Sequence, residues 1–117
     1  MTLRTRIVVV LLAALAACAP AFKPQKFPTS ATLFEASLDR LQKKKWDDAV
    51  TGFEKLTLDL SSRDSLLPLA HFYLARAHTG RAEHLLAAQE YTKLAESFGD
   101  DSLADDAMFE SGKSYSR

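Results

Sequence analysis

From residue 30 onward the apolar positions recur at three- and four-residue intervals, and no stretch alternates long enough to make a strand. The pattern predicts an all-α chain of five helices. The first, about 31–44, carries Leu33, Phe34, Leu38 and Leu41 on one stripe, with Ser30 or Thr32 as cap and Glu35 three residues after Thr32. The second, about 46–60, aligns Trp46, Ala49, Val50, Phe53, Leu56 and Leu60. The third starts at Ser65, accepts Pro68 in its first turn and stops near Gly80. The fourth spans about 82–97 and ends before Gly99. The fifth starts at Ser102, sets Asp105 and Asp106 near the positive end of its dipole, and runs to the end of the chain.

These helices repeat. Sliding the sequence by 38 residues lays Ala49, Phe53 and Leu56 on Ala87, Tyr91 and Leu94, and a slide of 37 lays Leu66, Ala70, Phe72 and Ala75 on Leu103, Ala107, Phe109 and Gly112. The order is A-B, A-B, A, with small residues at 49 and 87 admitting close helix approach and the aromatics one turn later filling the space beside them.

The pattern changes before residue 30. Arg4 and Arg6 precede an apolar run from Ile7 to Ala17, the form of a secretory signal peptide. As a helix that run would be about 16 Å long, too short for a ~30 Å hydrocarbon core. Residues Leu15-Ala16-Ala17-Cys18 resemble the bacterial lipobox at all four positions, which implies lipid attachment to Cys18 and cleavage before it. Ordinary cleavage after Ala19 competes, since Ala17-Cys18-Ala19 has the small-x-small form, but it would leave Pro20 at the first mature position. The organisation read here is a signal peptide over 1–17, a lipidated tether over 18–29 and a helical domain over 30–117. Pro20, Pro24 and Pro28 favour extended backbone, so the tether would reach about 30 Å from the bilayer; Phe22 and Phe27 are read first as part of a plain linker, the alternatives being that they dip into the membrane interface or pack on the domain. Three acyl chains on Cys18, each buried CH₂ contributing ~0.8 kcal/mol, would make that anchoring permanent.

Composition and charge then exclude several functions. An apolar share of 47% and a charged share of 26% are ordinary for a globular domain. Formal charge is zero, and removing 1–17 leaves 13 basic against 15 acidic side chains, so nucleic acid is not an expected partner. One cysteine permits no intrachain disulfide. No nucleophile elbow, phosphate-binding glycine loop or H-E-x-x-H motif is present, and the chain is read as non-enzymatic and without a cofactor other than its lipid. His71 and His78 lie seven residues apart, about 10 Å along a helix, too far to share a metal. Asp100, Asp101, Asp105 and Asp106 lack the spacing of a calcium loop and read as caps, and Lys43, Lys44 and Lys45 as a solvated helix end.

The small residue, aromatic and apolar positions of the second and fourth helices, with Trp46 three residues before Ala49, resemble the tetratricopeptide repeat. The spacing exceeds the common 34 and no proline closes the repeat, which implies a variant with longer turns. The resemblance implies an antiparallel helix-pair solenoid. Stacked repeats curve, so their A helices line a groove; Phe34, Leu38 and Gln42 of the first helix, Leu69, Phe72 and Arg76 of the third, and Phe109 and Lys113 of the fifth are placed there. Apolar pockets flanked by Arg76 and Lys113 would suit an extended peptide with a terminal carboxylate. The alternative for the same residues is that the phenylalanines pack between helices and the cations face water.

Lipobox, proline-containing tether and these helices in this order, with the segments Lys45–Leu56 and Ser102–Ala107, resemble the BamD family of lipoproteins of the outer-membrane β-barrel assembly machine. That resemblance implies a periplasm-facing, outer-membrane-anchored adaptor whose partners are the complex's other subunits and unfolded β-barrel precursors. Family members continue through further repeats, so the chain is expected to be an N-terminal fragment or a degenerate relative, marginally stable unless a partner covers its fifth helix. A periplasmic adaptor of cell-wall or Tol-Pal type, or a purely structural lipoprotein, are the other readings.

Overall fold

The computed structural model describes residues 21–117, so the signal peptide expected over 1–17 and the lipidation expected at Cys18 lie outside the described residues. The described chain is all-helical, without a strand, and has five α-helices: α1 (Ser30–Gln42), α2 (Trp46–Asp59), α3 (Leu66–Gly80), α4 (His84–Ser97) and α5 (Ala104–Tyr115). Each packs on its neighbours in sequence, and α1 also touches α3.

The helix starts differ from the sequence expectation in which side chain caps them. At α1 the cap is Thr29: the Thr32 N–H donates to Thr29 Oγ1 at 3.1 Å while the Thr29 N–H donates to Thr32 Oγ1 at 3.2 Å, and Glu35 takes no part. Ser65 and Ser102 cap nothing. Asp64 accepts the Leu66 N–H at 2.9 Å and Asp101 accepts the Leu103 N–H at 2.9 Å, so α3 and α5 are each entered through a carboxylate turn. The two turns match bond for bond at a spacing of 37: Asp64 N–H to Ser61 O at 3.0 Å and Asp101 N–H to Phe98 O at 2.9 Å, Leu67 N–H to Asp64 O at 3.1 Å and Ala104 N–H to Asp101 O at 3.0 Å.

The turns that join α1 to α2 and α3 to α4 also match, at a spacing of 38. Lys44 and Ala82 both sit in the left-handed region, with φ of 61° and 60°. The Lys45 N–H reaches Arg40 O and the Glu83 N–H reaches His78 O, both at 2.9 Å, the six-to-one bond that closes a helix with a left-handed residue after its cap. Glycine is the usual residue there because a Cβ costs about 1–2 kcal/mol in that conformation.

Between these turns the repeated residues form the core. Ala49, Phe53, Leu56, Ala87 and Leu94 are all fully buried, and Tyr91 nearly so. Phe53 stacks on Tyr73 and meets Phe34 edge-on, with centroids 5.7 Å away in each case; emptying such a site costs about 3–5 kcal/mol. Two residues without bulk set the spacing. A Cβ at Gly52 would overlap the Ser37 side chain, which brings α1 and α2 together, and one at Gly80 would overlap the Trp46 ring.

The end of the tether is part of this packing. Pro24–Lys26 form one 3₁₀ turn, Pro24 is buried, and Phe22 and Phe27 lie 5.5 Å apart, packed on the core beside α1 and α2. The Arg40 guanidinium stands 5.4 Å from the Phe22 ring centre. The plain-linker reading of Phe22 and Phe27 thus gives way to the alternative, packing on the domain: two aromatic rings find an apolar seat that outweighs the extended preference of the prolines around them.

Candidate functional site

The odd-numbered helices each contribute to one open groove of about 810 Å³. Leu38 and Gln42 come from α1, Phe72 and Arg76 from α3, and Phe109 from α5, and all five line it. Helix spacing explains the set: 38 and 42, like 72 and 76, are one turn apart on one face.

The remaining three expected residues stand elsewhere. Phe34 lies against Phe53 and Tyr73, with centroids 5.7 and 6.0 Å away, because the start of α1 faces α2 and α3. Leu69 is half-buried outside the groove lining. Lys113 lies one turn past Phe109, outside the groove lining, its ammonium 5.3 Å from the centre of that ring and 3.4 Å from the Glu110 carboxylate. Arg76 lines the groove and Lys113 does not.

The groove contains residues that the spacing did not single out. Tyr73 and Tyr91 add aromatic surface, Trp46 enters from the start of α2 against Gly80, and Lys44, Asp106 and Glu110 add charge. The signal for Tyr91 was its alignment with Phe53; the signal for Tyr73 was adjacency to Phe72. Burial, reinforced by the nearby Glu110 carboxylate, pushes the Tyr91 phenol up to about 12, so it stays protonated and able to donate. Lys44 and Arg76 share the lining with Asp106 and Glu110, so the charge of the groove is mixed rather than basic. No carboxylate lies within ion-pairing distance of Arg76 among the described residues, which leaves its guanidinium available.

On the other side of α3 the two histidines are structural. His71 Nδ1 meets Glu90 Oε2 at 2.7 Å, and His78 Nδ1 meets Glu83 Oε1 at 3.0 Å, clasping α3 to α4. Burial raises the Glu90 pKa, but the His71 hydrogen bond and the positive charge of Lys93 outweigh it and hold the carboxyl below its ordinary value. Among the described residues no three His, Cys, Asp or Glu side chains converge as metal ligands, and no helix is long and apolar enough to cross a membrane.

No protein-family model, curated protein or solved structure matches this chain.

Proposed function

We propose that the protein is a lipid-anchored adaptor of the outer-membrane β-barrel assembly machinery, BamD-like in kind, whose tetratricopeptide-like helix pairs bind extended segments of partner or precursor proteins. The supporting observation is the groove itself: three odd-numbered helices deliver Leu38, Phe72 and Phe109 to one surface, with the unpaired Arg76 among them. Apolar side chains of an extended peptide would enter between the aromatic rings while the guanidinium takes a carboxylate or backbone carbonyl. The matching turns at spacings of 38 and 37 support pairwise stacking of near-copies. Lipobox residues 15–18 support an anchor at the outer membrane, and the absence of a catalytic motif supports a binding role.

The test is titration of an extended apolar peptide with a free C-terminal carboxylate into the protein and its Arg76→Glu variant. Arg76 is exposed, so the fold tolerates the change. Reversal of its charge is expected to weaken binding about tenfold, a change of about 1.4 kcal/mol. Equal affinity for both proteins would remove the groove from the account.

A further inference from the structure

The strap formed by residues 22–27 is seated where α1 meets α2. A Cβ on Gly52 would come within 3.2 Å of the Phe22 ring, and the Arg40 guanidinium stands over that ring. With Phe22 seated, the tether loses its full reach: Cys18 is only four residues away, and four residues span at most about 14 Å. The strap face of the domain is thus held within about that distance of the residue that carries the anchor. This face has a surplus of positive charge. Asp39, Asp48 and Asp59 are ion-paired with Lys43, Arg40 and Lys55 at 3.1, 3.4 and 2.7 Å, and Asp47 with Arg81 at 3.3 Å. Lys23, Lys26 and Lys45 are exposed, with no carboxylate in ion-pairing distance among the described residues. Lys45 belongs to the same face because its N–H donates to Arg40 O at 2.9 Å. Glu35 and Glu54 stand two residues from Ser37 and Gly52, about 160° round their helices, and so point elsewhere. The groove also lies on another side of α1, since Leu38 and Gln42 are centred about 150° from Ser37 and Arg40.

We propose that the strap face rests on the bilayer, with Lys23, Lys26 and Lys45 against anionic phospholipid headgroups and the groove turned away from the membrane. The orientation rests on the acylated Cys18 of the proposed role. Two forces then act together. The acyl chains keep the strap face near the headgroups, and each unpaired lysine is drawn to a negative lipid surface by an attraction that fades within a Debye length of about 8–10 Å. A tether extended over about 30 Å would leave the helical domain outside that range, whereas the seated strap brings it in. The same orientation leaves Leu38, Phe72 and Arg76 open to proteins on the side away from the lipid.

The test places the acylated full-length protein in vesicles of phosphatidylcholine and phosphatidylglycerol that contain a nitroxide-headgroup lipid. A fluorophore is attached at Gln25→Cys or at Arg76→Cys; acylation caps the Cys18 thiol, so only the introduced cysteine is labelled. Position 25 is exposed on the strap and position 76 lines the groove. Quenching is expected to be about threefold or more stronger at position 25 than at position 76. Combined Lys23→Glu, Lys26→Glu and Lys45→Glu changes, all at exposed positions, are expected to lower quenching at position 25 to the level found in phosphatidylcholine alone. An unchanged thermal melt verifies that this variant folds. Equal quenching at the two positions would overturn the orientation. Strong quenching at position 25 that ignores both lipid charge and the three substitutions would overturn the headgroup contact, leaving chain length as the sole cause. Flotation separates the two readings: protein that does not float with the vesicles lacks the anchor, and the orientation falls with it, whereas floating protein with equal quenching removes the orientation alone.

Discussion

Helices α3 and α5 are entered through the same carboxylate turn, at Asp64 and Asp101, and bury an alanine at the same depth, Ala70 and Ala107. Their surroundings then diverge. α3 is covered on one side by α2 and on the other by α4, and its Phe72 meets Tyr91 edge-on with centroids 5.7 Å apart. α5 packs on α4 alone among its sequence neighbours, and its Phe109 is 67% exposed. Equivalent residues thus differ in energetic role because of where they fall in the array, not because of their local sequence. A substitution is severe or harmless according to whether a following helix lies over it.

The sharpest way to break this comparison is to place the same side chain at both ends of it. Ala75→Arg drives an unpaired cation into full burial beneath α4 and is expected to destabilise by about 4 kcal/mol or more. Gly112→Arg, its register equivalent, replaces glycine in an exposed helix and is expected to stabilise by up to about 1 kcal/mol. Urea denaturation of both variants measures the pair.

The α3–α4 clasp, which α5 lacks, gives a smaller effect with a pH signature. Glu90→Gln is expected to cost about 2 kcal/mol at neutral pH. Because the folded state holds the Glu90 pKa below its ordinary value of 4.5, the carboxylate's contribution is complete above that value. It fades as pH falls below 4.5 and is gone once the pH passes the folded pKa. Thermal melts at stepped pH should show the gap between parent and variant closing on the acid side. A gap that stays constant would mean that Glu90 contributes through packing rather than charge.

The smallest expected effect sharpens the likeness of the two pairs. Lys44 and Ala82 hold the same left-handed conformation, so Lys44→Gly and Ala82→Gly are each expected to stabilise by about 0.5–1 kcal/mol. Unequal responses in chemical denaturation would show that the two turns are not energetic copies.

Periodicity located all five helices, because a half-buried helix needs apolar residues every three or four positions whatever covers it. The caps were less legible: Thr29, Asp64 and Asp101 lie next to other residues that cap equally well, and only the turn geometry selects among them. The groove was legible where a side chain's face decides its place, as for Leu38, Gln42, Phe72, Arg76 and Phe109. It was not legible where a neighbour decides. Phe34 aligns with Phe72 but is taken up by Phe53 and Tyr73, and Lys113 aligns with Arg76 but is held by Phe109 and Glu110. Likewise, two phenylalanines in a proline-containing segment suit a linker, a membrane interface or the domain alike, and only the seat beside α1 and α2 decides among them.

The proposed role stands on the groove between odd-numbered helices, and photocrosslinking in living cells tests it most directly. A photoreactive residue at position 76 faces the groove, and one at position 58 lies on the exposed side of α2, where Leu58 is 83% exposed. Capture of newly exported β-barrel proteins from position 76 and not from position 58 is the expected result. Equal capture from both positions, or none from position 76, would contradict the account.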